Sequence, residues 1–163
     1  MIGEAFAYIR YQIYAKKISA TSKDLEEKIN HIANNEKEHF KIWAKYFYGK
    51  DYDSDKFNLL TAISGEMAEA QSLYPEYARI AREEGFNDIA DKFEMIAKIE
   101  ENHSWKFEDF LDFIENGNQD GEQKSGFICL NCGYIHEGKE VPDKCPVCDH
   151  PKEYFKKIYE GDK

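Results

Sequence analysis

The fold is indicated by two stretches of the chain that match each other, EKINHIANNEKEHF at residues 27–40 and DKFEMIAKIEENHS at residues 91–104. Aligned at an offset of 64 residues, each contains a Glu-x-x-His motif at the same place, Glu36 with His39 and Glu100 with His103. In a helix, residues three positions apart lie on the same face. Apolar residues recur around both motifs at helical spacing. The two stretches therefore predict amphipathic helices that carry a carboxylate and an imidazole on an apolar face.

The match continues upstream of both motifs. Gly3-Glu4 corresponds to Gly65-Glu66 at an offset of 62 residues, and YAKK at residues 14–17 corresponds to YARI at residues 77–80 at an offset of 63. The repeated unit is therefore a helical hairpin that is present twice. The extra residue of the second copy falls within a helix, near Pro75. We expect it to be absorbed as a π-helical turn, a feature that is common at functional sites.

The periodicity predicts a mainly α protein with four helices followed by a small domain. The helices are predicted at about residues 3–19, 22–48, 56–84 and 87–116. A polar segment with glycine at 117–126 is typical of a linker. The predicted domains are thus a helical bundle at 1–116, the linker, and a second domain at 127–163 that contains strand-like pieces.

The repeated motifs predict a site for two metal ions. A four-helix bundle with one glutamate from two helices and Glu-x-x-His from the other two is typical of carboxylate-bridged di-iron or di-manganese proteins. The candidate ligands on this pattern are Glu4, Glu36, His39, Glu66, Glu100 and His103. Because the chain has 32 acidic residues, one such motif alone would more often mark a solvated surface. Two motifs at equivalent points of a repeat favour the metal site, since burying so many carboxylates without cations would cost too much free energy.

The connection between the second and third helices restricts this arrangement. In a ferritin-like bundle these helices are parallel, so the connection runs back along the bundle. The segment GKDYDSDKF at residues 49–57 spans about 30 Å when fully extended. This length just covers a helix of about 20 residues. We expect a crossover that is short but sufficient.

All four cysteines lie near the end of the chain, with the spacing C-x2-C-x12-C-x2-C. They are Cys129, Cys132, Cys145 and Cys148. Two Cys-x-x-Cys pairs of this kind predict a tetrahedral site of four thiolates. The spacing alone does not separate a structural zinc ribbon from an iron centre. The dimetal site in the same chain favours iron, because that site needs electrons and a thiolate-bound iron carries one at a time.

The bulk composition excludes several classes of function. The net charge of −10 disfavours nucleic acid and anionic membranes as partners. The chain contains no run of about 18 apolar residues, and its N-terminus lacks the pattern of a secretory signal. Cysteines in tight pairs without an export signal favour metal binding over disulfides. We therefore expect a cytoplasmic protein.

Over nearly its whole length the chain resembles the rubrerythrin family. The segments that carry the resemblance are GEAFAYIRY, NNEKEHF, GEMAEAQSLYPEYARIAREEGF, IEENHSWKF and CGYIHEGKEVPDKCPVCDHPKEYF. The resemblance implies a ferritin-like four-helix bundle and a rubredoxin-like domain. It implies a di-iron site held by Glu4, Glu36, His39, Glu66, Glu69, Glu100 and His103, with Tyr11 and Tyr74 hydrogen-bonding nearby. The four cysteines would hold one iron ion.

The family resemblance also implies an activity and partners. Rubrerythrins are typically homodimeric peroxidases that reduce hydrogen peroxide to water, and a reductase or a rubredoxin-type protein supplies their electrons. In the family the rubredoxin-like centre lies near the di-iron site of the other subunit. The family pattern also lets one iron exchange His39 for Glu69 as it is oxidised. Glu69 has no counterpart in the first hairpin, where Ala7 occupies the equivalent position.

Two positions depart from the family pattern. Glu4 lies three residues from the start of the sequence, and the first turns of helices fray. Asp149 follows the last cysteine, where rubredoxins prefer glycine. Because Asp tolerates a left-handed backbone better than most residues, we expect only a small loss of stability and an intact thiolate site.

Two other functions are compatible with the same residues. The first is a ferroxidase, whose substrate is iron itself and whose acceptor is oxygen or peroxide. The second is a non-catalytic interaction module, in which a zinc ribbon is attached to a structural bundle. Metal content and the visible spectrum distinguish the interaction module from the peroxidase. The relative rates of oxidation by peroxide and by oxygen distinguish the ferroxidase from the peroxidase.

Overall fold

A computed structural model describes residues 1–117 and 126–158. The chain divides into two compact units, Met1–Ser54 and Asp55–Lys163. The first unit contains one helical hairpin. The second contains the other hairpin together with the four-cysteine domain. Each unit therefore carries one copy of the repeat that the sequence predicts.

The first unit consists of two long helices, α1 (Ile2–Ile18) and α2 (Lys23–Tyr48). The turn between them ends at Ser22, whose hydroxyl accepts a hydrogen bond from the backbone N–H of Leu25 and caps α2. The helices pack against each other through small side chains. The buried residues of this hairpin are Ala7, Ala15, Ala33 and Ala44. The first pair of predicted helices is confirmed.

The second unit begins with a helix that changes its winding. α3 (Asp55–Ala68) is followed by a π-helical segment (Glu69–Leu73) and then by α4 (Tyr74–Glu83). The extra residue of the second repeat is thus accommodated as a π-helix immediately before Pro75, as predicted. This widened segment begins at Glu69, so it affects the direction of a side chain that the sequence assigns to the site.

The last helix, α5 (Asn87–Asn116), packs against α3 and α4. Ala78, Ala81 and Ala90 form a buried cluster between α4 and α5, with Phe93 packed against it. Arg82 near the end of α4 bridges to Asp91 and Glu94 of α5 at 2.7 and 2.8 Å. Gly117 ends α5 in the left-handed conformation (φ 73°), which glycine adopts without steric cost.

The four-cysteine domain is a small antiparallel sheet with the strand order β2-β1-β3. Its strands are β1 (Gly126–Cys129), β2 (Ile135–His136) and β3 (Phe155–Ile158). In register, Phe127 pairs with His136 on one side of β1, and Cys129 pairs with Phe155 on the other. The strand-like pieces are confirmed. Most of the predicted linker, 118–125, lies outside the described residues.

The connection between α2 and α3 is shorter than predicted. α2 ends at Tyr48 and α3 begins at Asp55, so six residues connect them instead of about nine. Five of these, Gly49–Asp53, form a 3₁₀-helix. The connection therefore contains less extended chain than predicted, and its sufficiency as a crossover stays a prediction.

None of the helices in the described ranges is both long enough and apolar enough to cross a membrane.

Candidate metal centres

The first candidate centre lies in the α1–α2 hairpin. Each of Glu4, Glu36 and His39 offers a ligand atom, and these atoms lie within 4.8 Å of one another. The Nδ1 atom of His39 is 3.1 Å from Oε2 of Glu36. Glu36 and His39 are one helical turn apart, and α1 places Glu4 beside them. The His39 side chain is 53% exposed, so this cluster opens towards the surface of its unit.

The second candidate centre repeats this arrangement in the other unit. Glu66 of α3 meets Glu100 and His103 of α5, again with ligand atoms within 4.8 Å of one another. The Nδ1 atom of His103 lies 2.8 Å from Oε2 of Glu100 and 3.6 Å from Oε2 of Glu66. Nδ1 is therefore the imidazole nitrogen that faces the carboxylates.

The electrostatics of the second cluster favour a cation. Burial raises the pKa of the Glu100 carboxyl, and its hydrogen bond and charge repulsion with Glu66 raise it further. The nearby His103 opposes part of this shift. Two carboxylates held together in this way are stabilised when a divalent cation lies between them. The residues of this cluster thus fit a carboxylate-bound metal.

Tyr74 lies beside the same cluster, at the first position of α4 after the π-helical segment. Burial raises the pKa of its hydroxyl. The negative charges of Glu100, Glu69 and Glu66 raise it further. The hydroxyl therefore keeps its proton at neutral pH and can donate a hydrogen bond towards the carboxylates.

Glu69 and Tyr11 occupy different surroundings from the clustered ligands. In the described part of the chain, Glu69 is not among the residues whose ligand atoms converge within 4.8 Å. Its negative charge nevertheless raises the pKa of Tyr74, the residue beside the second cluster. Tyr11 is half-buried in α1 and its ring lies 6.2 Å from that of Tyr14. The assignment of Glu69 and Tyr11 to the site stays a prediction.

The third candidate centre consists of the four cysteines. The sulfur atoms of Cys129 and Cys148 are 3.7 Å apart, and those of Cys132 and Cys145 are 3.6 Å apart. All four are free thiols, and all four sulfurs lie within 4.8 Å of one another. Thiolates about 2.3 Å from one tetrahedral ion lie about 3.8 Å from each other. The observed spacing fits a single metal ion and is far too long for disulfides.

The two cysteine pairs share one backbone conformation. The N–H of Gly133 donates to the carbonyl of Cys129, and the N–H of Asp149 donates to the carbonyl of Cys145. Both donors have positive φ, 79° at Gly133 and 58° at Asp149. Asp149 thus adopts the left-handed conformation that the sequence predicted for it, and the thiolate cluster is intact.

The thiols differ in acidity. Burial raises the pKa of Cys132 and of Cys145. Burial also opposes ionisation of Cys148, but hydrogen bonds from the His150 amide and from neighbouring thiols lower its pKa to about 6. The lowered pKa favours the thiolate form of Cys148, which is the form that binds metal.

The four-cysteine domain contacts the second cluster in the same unit. Gly133, directly after Cys132, lies so close to α5 that a Cβ atom at this position would be 2.9 Å from Nε2 of His103. The same Cβ would be 3.3 Å from the Ile99 side chain. His103 therefore directs Nδ1 to the carboxylates and Nε2 to the cysteine domain.

A second contact anchors this domain to α5. Nζ of Lys92 lies 3.5 Å from Oδ2 of Asp149 and 3.4 Å from the carbonyl of Val147. The family resemblance places the rubredoxin-like centre near the site of the other subunit. In this structure the centre lies against His103 of its own chain, where Gly133 and Lys92 contact α5, and its place beside another subunit stays a prediction.

The comparisons with known proteins agree with these three centres. The family model described as "Rubrerythrin" matches residues 1–111 and 57–126. The model described as "Rubrerythrin, rubredoxin-like domain" matches residues 127–156. The chain belongs to the rubrerythrin family.

Individual relatives match over nearly the whole chain. It is 37% identical to rubrerythrin of Nitratidesulfovibrio vulgaris, over 94% of this chain and 87% of the relative. It is 35% identical to a putative rubrerythrin of Methanocaldococcus jannaschii, over 94% of this chain and 86% of the relative. A solved structure of nigerythrin in a mixed-valence state is 26% identical, covers 96% of this chain and 81% of its own, and has a TM-score of 0.41.

The sequence reasoning missed the contribution of Gly133 and Lys92. Gly133 carries a recognisable signal, since a glycine directly after a Cys-x-x-Cys pair marks a turn with positive φ. The partner of that turn, His103, is 30 residues away in sequence. Only the packing of the two domains reveals that the turn touches a candidate metal ligand.

Proposed function

We propose that this protein is a non-haem di-iron peroxidase that reduces hydrogen peroxide to water. The observation that carries the proposal is the contact between Gly133 of the four-thiolate centre and His103 of the second carboxylate cluster. A one-electron centre placed against a ligand of a dimetal site is suited to returning electrons to that site. A ferroxidase has no need of such a contact, because its substrate brings its own electrons.

The ligands of the di-iron site would be the two clusters together, with Glu69 as an additional carboxylate. With iron bound, this site would supply the two electrons that cleave the O–O bond, and the thiolate-bound iron would supply single electrons for its re-reduction. Reduction of one hydrogen peroxide molecule to two water molecules consumes two electrons and two protons. The electrons would come from a reductase or a rubredoxin-type donor.

The chain's own residues hold and move the protons. Tyr74 keeps its proton because burial and the surrounding carboxylates raise its pKa, so its hydroxyl can donate a hydrogen bond to a bound oxygen atom. Glu69 lies near enough to influence Tyr74, and its carboxylate can relay a proton from solvent. Tyr11 would act equivalently in the first hairpin. Because the four cysteines form two Cys-x-x-Cys pairs that converge on one candidate metal site, we propose that the protein acts in the reducing cytoplasm.

Anaerobic rapid mixing tests the proposal. The ferrous protein is mixed with hydrogen peroxide or with oxygen, and oxidation is followed by visible absorbance. We expect oxidation by peroxide to be at least about tenfold faster than by oxygen, with one peroxide consumed for each two electrons. A protein that reacts as fast with oxygen, or that contains only zinc and is colourless, would contradict the proposal.

A further inference from the structure

We propose that the four-cysteine domain carries a docking face for an acidic one-electron carrier protein. The docking face consists of Leu130 and Tyr154 with three lysines around them, Lys144, Lys152 and Lys156. The inference rests on the proposed function, in which the thiolate-bound iron is re-reduced. It adds where the electron donor binds and which surface charge that donor has.

The centre of the docking face is apolar and open. Leu130 is 65% exposed and Tyr154 is 41% exposed. The backbone N–H of Leu130 donates a hydrogen bond to the carbonyl of Tyr154 at 2.8 Å, so the two residues are neighbours. The Tyr154 ring packs edge-on against the His150 ring, with the centroids 4.4 Å apart. An exposed leucine beside a tyrosine that is held in place offers another protein a rigid apolar contact.

The docking face lies directly over one ligand of the thiolate centre. Leu130 follows Cys129 in the sequence, and Cys129 is fully buried among the other cysteines. A partner that covers Leu130 therefore comes within one peptide unit of a metal ligand. Because electron transfer slows steeply with distance, this position favours the entry of electrons. A single exposed leucine elsewhere on the surface would be ordinary.

The docking face is separate from the surface that contacts α5. The residues near α5 follow the second cysteine of each pair, at Gly133 and Asp149. Leu130 and Tyr154 stay exposed in the presence of α5. The cysteine domain thus has one side against the second carboxylate cluster and another side that α5 leaves uncovered for an electron donor.

Lysines surround the apolar centre. Lys156 pairs with Ile128, which comes two residues before Leu130, so Lys156 lies on the same side of the sheet as Leu130. Lys152 begins the short 3₁₀ turn that leads into β3. Lys144 is joined by a β-bridge to the residue before that turn. The three lysines therefore belong to the segments next to Tyr154.

These lysines have no carboxylate partner within the chain. In the part of the chain that the structure describes, none of the three forms an ion pair. Basic side chains of the helices are often paired instead, as at Lys28, Arg79 and Arg82. The positive charges of the docking face are therefore available to another protein.

Charge complementarity identifies the occupant as acidic. Residues 1–117 contain 23 acidic and 15 basic side chains, whereas residues 126–158 contain five of each. One of those five acidic residues, Asp149, is already paired with Lys92. The helices repel an acidic protein and the lysines of the docking face attract it, so electrostatic steering ends at the thiolate centre. A small interface of this kind suits a transient electron-transfer complex.

The step at the docking face is the transfer of one electron. The reduced carrier loses the electron, the ferric ion of the four-thiolate centre gains it, and no covalent bond forms or breaks. Two such transfers supply the two electrons for one hydrogen peroxide. The carrier must therefore bind and leave twice in each cycle, which requires a weak complex.

Stopped-flow reduction tests the docking face. Full-length, iron-loaded protein is mixed anaerobically, without peroxide, with a reduced plant-type [2Fe–2S] ferredoxin as the acidic carrier. The docking variant is Lys152→Glu with Lys156→Glu. The matched control, Lys106→Glu with Lys139→Glu, changes the net charge equally at two exposed lysines outside the docking face. Loss of the visible absorbance of the ferric four-thiolate centre measures the rate.

We expect the ferredoxin to reduce the docking variant at least about tenfold more slowly than the unaltered protein at low salt, and the control at an unaltered rate. The difference should shrink below about twofold at about 0.5 M salt, because salt screens the charges. Dithionite is a small reductant that needs no docking. It should reduce all three proteins equally, which shows that the metal centre is intact.

Leu130→Gln tests the apolar part of the docking face without changing its charge. We expect reduction by the ferredoxin to be at least about threefold slower, also at high salt, because the lost contact is apolar. Leu60→Gln is the control, since Leu60 is an exposed leucine on α3. If Leu130→Gln instead lowers the mass of the protein in light scattering, a second copy of the chain occupies the face and the docking of a carrier is wrong.

Nuclear magnetic resonance locates the contact without electron transfer. In full-length protein loaded with zinc, the paramagnetic ferredoxin should broaden the amide signals of Leu130 and Tyr154 and leave those of α4 unchanged. Broadening centred on the helices would overturn the docking face. Equal rates of reduction for the docking variant and its matched control would overturn it as well.

These measurements separate the docking face from the proposed function, because none of them contains peroxide. A protein that the ferredoxin reduces at the docking face, but that reacts no faster with peroxide than with oxygen, would contradict the peroxidase alone. A four-thiolate site that accepts zinc but no iron would contradict both proposals.

Discussion

At the scale of single residues, the two hairpins differ in chemistry at one aligned position. Ala7 is buried against α2, whereas the equivalent Glu69 opens the π-helical segment and acts on Tyr74. The repeat therefore supplies two similar ligand sets but only one additional carboxylate. If Glu69 is a ligand, as the family resemblance implies, this asymmetry would make the two metal positions unequal.

Replacing Glu69 with alanine tests this asymmetry. We expect Glu69→Ala to retain both metals, because Glu69 lies outside the three clustered ligands, and to slow peroxide reduction about tenfold or more. Metal analysis and rapid mixing with peroxide measure the two effects. Glu101→Ala is the matched control, since Glu101 is an exposed carboxylate on α5. Equal rates for the two variants would remove Glu69 from the mechanism.

Gly133 is the second residue at which a substitution should have a specific effect. In Gly133→Ala the new Cβ would lie 2.9 Å from Nε2 of His103, so the cysteine domain or the His103 ring must shift. We expect slower reduction of the dimetal site from the four-thiolate iron, with unchanged oxidation of the fully reduced protein by peroxide. Rapid-mixing absorbance at the two iron chromophores separates these steps.

Gly85→Ala is the control for backbone strain. Gly85 has φ +85°, close to the +79° of Gly133, but nothing lies within 4 Å of its Cβ position. Both variants lose about 1–2 kcal/mol of stability from the left-handed backbone, and only Gly133→Ala should slow electron transfer. The same slowing in Gly85→Ala would mean that the contact with His103 has no functional role.

At the scale of elements, the α2–α3 connection consists of six residues, five of which form a 3₁₀-helix. A flexible Gly/Ser spacer of about twelve residues inserted between Asp53 and Ser54 would let one chain fold back on itself. We expect the spacer variant to shift from dimer towards monomer, with unchanged dimetal content per chain. Light scattering coupled to size exclusion measures the mass.

The same spacer inserted after Ala20, in the turn between α1 and α2, serves as the control because it leaves the α2–α3 connection unchanged. This control should remain dimeric. If the variant with the longer α2–α3 connection also remains a dimer of unaltered stability, the length of the connection does not determine how the chain assembles.

At the scale of the whole molecule, stability should depend on pH and on bound metal. Burial and Glu66 raise the pKa of Glu100, so without metal this group stabilises the folded protein while it is protonated. That contribution is lost as the pH rises through the raised pKa. We expect the metal-free protein to melt at a lower temperature at about pH 8 than at about pH 5.

Metal reverses this trend, because bound cations compete with protons for the same carboxylates. Thermal unfolding of the chelator-treated and the metal-loaded protein at both pH values measures the difference. Glu100→Gln should flatten the pH dependence of the metal-free form. A metal-free protein that is equally stable at both pH values would contradict the proposed role of the carboxylate pair.

The sequence alone determined the local features of this protein, because each depends on short-range chemistry. The repeat of Glu-x-x-His motifs predicts the helices and the clustered ligands. The extra residue near Pro75 predicts the π-helical segment, and the Cys-x-x-Cys pairs predict the thiolate site. Asp149 was recognised as a left-handed position from its place after Cys148. These features could be predicted from the sequence because they involve neighbouring residues along one helix or one turn.

Only the tertiary structure decided which distant surfaces meet. The contact of Gly133 with His103 joins residues whose spacing in the sequence follows no motif. The ends of α2 and α3 leave a connection of six residues, which is shorter than the segment that periodicity predicted. Helix periodicity specifies which face of a helix is apolar, but the span of a connection depends on where each helix ends.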